Sequence, residues 1–403
     1  MRDGKMINVA ILGYGTIGSG VAQIIDDNNA LLEKRIGDGI AVKRILDLRD
    51  FPGDKNESKL TKNVDDIVND AEIDIVVECM GGVEPAHTFV KNSLLAGKSV
   101  TTSNKALVAV YGSELISIAR EKNINFMFEA SVGGGIPIIR PILSCLTAED
   151  ILEITGILNG TTNFMMTKMS DEGSEYADVL KEAQALGYAE ADPTADVEGH
   201  DACRKIAILT SLVCGQQVDF EEIHTEGISK ITATDIKYAK AMGRAIKLLA
   251  TSRKQGDSYY AYVAPMLLEK THPLYNVNDV FNAVFVNGNM LGDAMFYGSG
   301  AGKLPTASAV VADVVEMGRH LHDNIYVEWK PEKLELADYK ASEKRFFVRT
   351  TADEAAARSA FGDIELVKAE GVSGEIGFIT GVMSETEYER KAQALDIIQM
   401  IRA

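Results

Sequence analysis

The sequence predicts an α/β protein in three parts: an N-terminal parallel sheet (1–128), a central α+β part (129–330) and a C-terminal ferredoxin-like unit (344–403). Three observations predict it. Short apolar runs of strand type alternate with helical stretches in the first part, and the first run ends in a glycine turn. The middle part carries helices and strands without that alternation. The last part reads strand, helix, strand, strand, helix, strand, the order of a split βαβ unit.

Ile7–Leu12 is the first strand run, followed by Gly13, Gly15 and Gly18 and a helical stretch over Thr16–Asp27. Ala41–Leu46, Ile73–Glu78 and Ser99–Thr102 are the next strands, and Pro52–Asn63 has a loop's composition. The central part begins near Phe126–Glu129 and Gly133–Gly135. Helices are expected over Pro137–Leu146, Thr161–Met169, Glu175–Ala185, Ala202–Val213 and Thr234–Arg244. Strands are expected at Ile151–Leu158, Tyr259–Pro265 and Ala283–Asn287. After the polar stretch Glu332–Lys340, the last unit takes strand Phe346–Arg349, helix Ala352–Phe361, strands Ile364–Ala369 and Glu375–Val382, helix Glu385–Leu395 and strand Ile397–Ile401.

Composition narrows the function. The 41 basic and 59 acidic residues leave a net charge of −18, which repels nucleic acid and anionic membrane alike. Neither is an expected partner. No apolar run approaches the ~18 residues of a membrane span. Ile7–Leu12 is too short for a signal sequence, so a cytoplasmic location is expected. Cys79, Cys145, Cys203 and Cys214 show no CxxC spacing and read as free thiols, not as a zinc or redox site.

The run Val9–Gly18 is Val-Ala-Ile-Leu-Gly-Tyr-Gly-Thr-Ile-Gly. Gly13 permits the tight turn off the strand, Gly15 lets a pyrophosphate approach the backbone, and Gly18 lets the helix pack on the sheet. The free N–H groups at Thr16, Ile17 and Gly18 and the positive end of the helix dipole would meet the phosphates. This is the Rossmann-type signature of NAD(H) or NADP(H) binding. At the end of the second strand, Asp47 could accept from ribose hydroxyls and Arg49 could pair with a 2′-phosphate, which leaves the choice between NAD and NADP open.

Two further motifs carry chemistry. Thr101-Thr102-Ser103-Asn104-Lys105 ends a predicted strand, where ligands of parallel sheets bind. Gly187-Tyr188-Ala189-Glu190-Ala191-Asp192-Pro193 leads on to Asp196 and then to Val197-Glu198-Gly199-His200-Asp201-Ala202-Cys203-Arg204-Lys205. Ala202, Ile206, Leu209 and Val213 recur at helical spacing, so Asp201 and Lys205 share a helix face. Taken alone, Lys105 reads more simply as a solvated lysine, and Asp201 with Lys205 as an exposed pair of ~0.3–0.5 kcal/mol. Glu190, Asp192 and Asp196 alone read as loop solvation.

Together with Glu129–Pro137, Leu158-Asn159-Gly160-Thr161-Thr162-Asn163 and Gly298–Ala307, these motifs resemble the successive signatures of the homoserine dehydrogenases, in order, over roughly residues 6–320. The resemblance implies reversible NAD(P)H-dependent reduction of L-aspartate 4-semialdehyde to L-homoserine, in the biosynthesis of threonine, methionine and isoleucine. It makes Lys205 the proton donor and Lys105 its partner, two ammonium groups close enough to lower one another's pKa. Glu190 and Asp201 become the carboxylates that hold the substrate. Gly187 and the turn at Gly302 are expected to close over the cofactor. The Glu129–Pro137 loop resembles a monovalent-cation site for sodium, with Glu129 ligating through its side chain and Val132, Gly134 and Ile136 through carbonyls. A homodimer or homotetramer is also implied. The last unit resembles an ACT domain, but its first loop, Thr350–Glu354, lacks the Asp-Arg-Pro-Gly type of turn. Effector binding and a structural or dimerising role both stay open for it.

Two rivals differ in chemistry. A sensor protein with a nucleotide fold would lack the lysine and carboxylate set. An aspartate-semialdehyde dehydrogenase needs a nucleophilic thiolate, and Cys203, beside Asp201, is the nearest thiol. A fused aspartate kinase is not expected, because no kinase-sized segment precedes the glycine motif. Cys203→Ala should therefore keep full turnover; loss of activity with the fold intact would point to a thioester route.

Overall fold

Ile7, Val9, Ala10, Ile11 and Leu12 are fully buried, because both faces of their strand are covered, as in parallel sheets generally. In the computed structural model, which describes residues 6–403, that strand is β1 (Met6–Leu12). The sheet adds β2 (Gly39–Leu46), β3 (Leu60–Thr61), β4 (Ile75–Glu78), β5 (Ser99–Thr102) and β6 (Phe126–Met127). The order is β3-β2-β1-β4-β5-β6, parallel throughout. The connections change direction between β1 and β4, and a ligand crevice forms at the carboxyl ends of strands at such a switch point. The sixth strand lies at the very end of the expected first part, 1–128, and completes its sheet.

The helix α1 (Thr16–Asp27) buries Gly18, Gly20, Val21, Ala22 and Ile25. It packs on the helix Lys303–Arg319, and a Cβ on Gly20 would stand 3.0 Å from the Ala307 methyl. Gly20 thus sets how closely the two helices approach. The chain forms two compact units. One runs to Glu149 and adds Ala207–Phe220 and Phe296–Leu334; the other takes Asp150–Ile206, Glu221–Met295 and Glu335–Ala403.

The second unit is built on one long sheet. Its strands lie in the order Gly292–Ser299, Phe281–Gly288, Ile151–Ile157, Arg244–Gln255, Ser258–Glu269, Ile397–Arg402, Phe346–Thr350, Ile376–Thr380 and Ile364–Val367. The last four belong to the C-terminal βαββαβ unit. Their order, fourth-first-third-second in chain sequence, is ferredoxin-like. Ion pairs tie this unit to its neighbours at Asp235 and Glu226 and hold it together internally at Glu375 and Glu385. Arg349 reaches Asp235 at 2.6 Å and Glu375 at 2.7 Å, and Arg402 reaches Glu226 at 2.7 Å and Glu385 at 2.5 Å. A buried pair fixes an arrangement because removing one partner strands the other charge.

Two expected elements differ from the structure. The helix read over Thr234–Arg244 is Ala233–Ala241, started by a capping box between Thr232 and Asp235. Gly243 then turns at φ +65° and Arg244 opens a twelve-residue strand. The stretch Pro137–Leu146 is only a π-helical turn over Pro141–Cys145, since Pro141 has no N–H to give an α-helix. Among the described residues, no helix is long and apolar enough to cross a membrane.

The strand Arg244–Gln255 carries a buried lysine. Lys247 Nζ donates to Val277 O at 2.6 Å, Asn278 Oδ1 at 2.9 Å and Asn163 Oδ1 at 3.1 Å. All three acceptors are neutral, and burial pushes the Lys247 pKa down to about 8. Unfolded, a lysine titrates near ~10.4. Between these values the unfolded chain holds the extra proton, so stability rises with pH there, by about 1.4 kcal/mol per unit at most. Urea unfolding of the wild type and Lys247→Met should show a stability difference that grows in the wild type's favour from pH 8 to pH 10. A flat difference would show that Lys247 is not held in this depressed state.

Candidate active site

In the first unit, the glycine turn takes the form its residues demand. Gly13 sits at φ +93° and donates to Leu46 O at 2.8 Å. A Cβ on Gly18 would lie 1.9 Å from Gly13 O, so no other residue fits there. A Cβ on Gly15 would meet nothing nearer than the Arg49 guanidinium at 3.9 Å. The backbone is open on that side, and a cavity of about 370 Å³ lies there, lined by Gly13, Gly15, Asp47 and Arg49 among others. No side chain caps the α1 N-terminus and no acid stands in its first turn. Thr16, Ile17 and Gly18 therefore present N–H groups that the helix itself cannot satisfy. Open backbone, free donors and a cavity fit a pyrophosphate.

Asp47 and Arg49 do not compete for the cofactor independently; they bind each other. Asp47 Oδ1 accepts from Arg49 Nε at 3.0 Å, and Oδ2 from Arg49 Nη2 at 2.8 Å and Tyr14 N at 2.8 Å. The bonds from Arg49 hold the Asp47 carboxyl well below the usual carboxylate range. Asp47 is buried, whereas the Arg49 side chain is 62% exposed.

Lys105 opens the helix Lys105–Glu121, whose N-cap Asn104 accepts from Leu107 N at 3.1 Å. It is half-buried. The glycine-rich loop after β6 packs on the turn before the Lys303–Arg319 helix. Gly135 N donates to Ser299 O at 3.0 Å, and a Cβ on Gly134 would stand 2.3 Å from Gly300 O. Gly302, at φ +122°, begins that helix.

The Glu129 carboxylate is tied to the backbone that follows it. It accepts from Ile138 N at 2.6 Å, Ile139 N at 2.9 Å and Arg140 N at 2.7 Å. Backbone donors thus fill three of the about four acceptor positions of a carboxylate, and the side chain caps the 138–140 turn. Val132, Gly134 and Ile136 are buried, and their carbonyls accept no hydrogen bond from the described residues. Buried carbonyls without partners are uncommon, and such oxygens fit a hard monovalent cation. Among the described residues there is no His, Cys, Asp and Glu cluster of metal-binding type.

In the second unit, Asp201 and Lys205 stand one turn apart on the helix His200–Cys214. They are not an exposed pair. Lys205 Nζ donates to Asp201 Oδ2 at 2.7 Å and to Leu158 O at 2.7 Å, with side chains only 12% and 6% exposed. Two of the three ammonium donors are engaged, which leaves one for a substrate oxygen. Asn159 joins the set. It caps the helix Gly160–Glu172 by accepting from Thr162 N at 2.9 Å, and its amide donates to Asp196 at 2.7 Å and Asp201 at 3.0 Å. Thr161 donates to Tyr188 O at 2.6 Å, which ties the next loop to this helix. Glu190 lies in that loop and is exposed, as is Gly187 at φ +75°.

The sequence reading missed Asn159 and Asp196 as members of the site. Asn159 carried two usable signals, its place just before an expected helix and its position in the Leu158–Asn163 motif. Cys203 is buried and its thiol is pushed up by burial, the opposite of an activated nucleophile.

Residues 137–315 match the homoserine dehydrogenase family, and residues 13–129 match the homoserine dehydrogenase NAD binding domain. The homoserine dehydrogenase of Bacillus subtilis is 45% identical, over 79% of this chain and 74% of that one. The homoserine dehydrogenase of Mycobacterium tuberculosis is 38% identical, over 99% and 96%. Among solved structures, a homoserine dehydrogenase from Thiobacillus denitrificans superposes with a TM-score of 0.89 at 36% identity, covering 99% of this chain and 98% of that one. A hyperthermophilic archaeal homoserine dehydrogenase in complex with NADPH superposes with a TM-score of 0.67 at 31% identity, covering 78% and 98%.

Proposed function

Because the chain belongs to the homoserine dehydrogenase family, we propose that Lys205 is the group that protonates the substrate oxygen in the reaction it catalyses. That reaction is the reversible NAD(P)H-dependent reduction of L-aspartate 4-semialdehyde to L-homoserine. The observation that carries the assignment is the Lys205 ammonium held between Asp201 and the Leu158 carbonyl.

The nicotinamide supplies hydride to the aldehyde carbon when it is bound. The carbonyl's π pair then moves onto oxygen, and Lys205 Nζ gives that oxygen a proton. The same ammonium offsets the negative charge as it grows. Asp201 orients Nζ, and Asn159 ties Asp201 to Asp196. In homoserine oxidation the steps run backwards, and neutral Lys205 takes the hydroxyl proton. Glu190 takes the substrate ammonium group, and Lys105 binds substrate or relays the proton. Gly187 and Gly302 would each form a turn beside the cofactor when it is bound. A sodium ion would be held by the carbonyls of Val132, Gly134 and Ile136, in a structural role.

Asp47 already gives its oxygens to Tyr14 N–H and Arg49, while the guanidinium stays exposed. This supports NADP(H) over NAD(H), with Arg49 pairing with the 2′-phosphate.

Two variants test these assignments against NADPH oxidation by aspartate semialdehyde. Lys205→Ala should lose turnover by about 10²- to 10⁴-fold yet bind NADPH normally in a fluorescence titration; near wild-type turnover would remove it as proton donor. Arg49→Ala should weaken NADPH by about 10- to 100-fold, the worth of a charged hydrogen bond, with little effect on NADH. Equal losses with both cofactors would show that Arg49 does not read the 2′-phosphate.

A further inference from the structure

The motif that delivers Lys105 is anchored by two buried carboxylates. Successive side chains of a strand point to opposite faces, and the last two residues of β5 are Thr101 and Thr102. Thr101 donates to Asp313 at 2.9 Å. Thr102 donates to Glu78 by a short hydrogen bond. Asp313 and Glu78 are both 0% exposed. Each hydroxyl thus ties one face of the strand end to a carboxylate.

Glu78 reaches further. It ends β4, at the switch point of the sheet, and accepts from Met80 N at 2.6 Å. The Gly81 N–H and the Asn104 amide also donate to it. Asn104 in turn donates to Gly82 O and caps the helix that starts at Lys105. One carboxylate therefore gathers the 80–82 loop, the end of β5 and the cap of the Lys105 helix. Burial pushes its pKa up, and its donors partly offset that. In the sequence Glu78 shows only as the last residue of the expected strand Ile73–Glu78, with nothing to mark its burial.

We propose that Glu78 is a positioning residue for catalysis, which fixes Lys105 at the start of its helix through Thr102 and Asn104. This rests on the reading of Lys105 as part of the site. A carboxylate accepts from all its neighbours at once; an amide in its place turns one oxygen into a donor facing donors. The N-cap then shifts, and Lys105 shifts with it. Misplacement of about 1 Å at an active site costs up to about 100-fold in rate.

The test compares Thr102→Val, Thr102→Ser, Glu78→Gln and Lys105→Ala. The readouts are kcat and KM for homoserine oxidation, NADPH affinity by fluorescence and Tm. Thr102→Val keeps the shape and removes the hydroxyl. It should lower kcat about tenfold, with NADPH affinity and Tm close to wild type, and Thr102→Ser should restore most of the rate. Glu78→Gln should lower kcat about 100-fold. Should Glu78→Gln fail to fold, the Thr102 pair decides alone. Wild-type kcat in Thr102→Val, or a loss that tracks Tm and is not restored by serine, overturns the proposal. If Lys105→Ala keeps full turnover, the reading of Lys105 falls instead, and the positioning role with it.

Discussion

A chain with a net charge of −18 has to hold a dinucleotide that is itself strongly anionic. Bulk electrostatics opposes that encounter, so the attraction must come from short-range, directed donors. The first unit supplies them mostly from its backbone. The N–H groups of α1 need no basic side chain, and the helix dipole adds to them. Their availability depends on the contact between Gly18 and the Gly13 carbonyl, which lets the helix start where it does. Of the basic residues lining the cavity, Arg49 and Lys62, Arg49 is held in place by Asp47, whose charge it cancels in part. The positive field is therefore local and aimed, while the surface as a whole stays acidic.

The same economy governs the buried acids. Asp47, Glu78, Glu129 and Asp313 each face several N–H or O–H donors. An ionised carboxylate is costly to bury alone and tolerable once its lone pairs are filled. Each acid then becomes a fixed point that collects several backbone segments. In the second unit, Asp201 does this with a difference. It shares its oxygen with the Lys205 ammonium and the Asn159 amide, so the structural anchor and the proposed proton donor are directly bonded. A shift in Asn159, at the cap of another helix, would be felt at Nζ.

How much of this the sequence revealed follows from range. The glycine turn, the β5 terminus and the βαββαβ order are written in neighbouring residues, so pattern and spacing expose them. The strand Arg244–Gln255 escaped because its start, Arg-Ala-Ile-Lys-Leu-Leu-Ala, is made of good helix formers. Pairing along its whole length with the strand Ser258–Glu269, and from Ala250 also with Ile151–Ile157, overrides that preference. Lys247 gave no help, since a lysine in a strand usually marks solvent, and here it is buried against carbonyl and amide oxygens. Asp201 and Lys205 were legible as a pair, but not as a buried one. Glu129 was legible as an acid near a glycine loop; its three donors lie nine to eleven residues on and depend on how the loop folds back.

The two later glycine motifs show what such range means physically. Gly133–Gly135 and Gly298–Gly302 are far apart in the chain, and each alone reads as a flexible turn. In the structure they are two sides of one contact. Gly134 lies against the Gly300 carbonyl where a side chain would have no room, and Gly135 lies against Pro305 in the same way. Gly135 N also bonds Ser299 O. Close backbone approach of this kind needs a residue without a Cβ. Once the approach is made, the carbonyls of Val132, Gly134 and Ile136 belong to a buried loop that has little freedom to turn them outward. The Glu129 carboxylate, which accepts from Ile138, Ile139 and Arg140 N–H, then ties the start of the same loop to the turn that follows it.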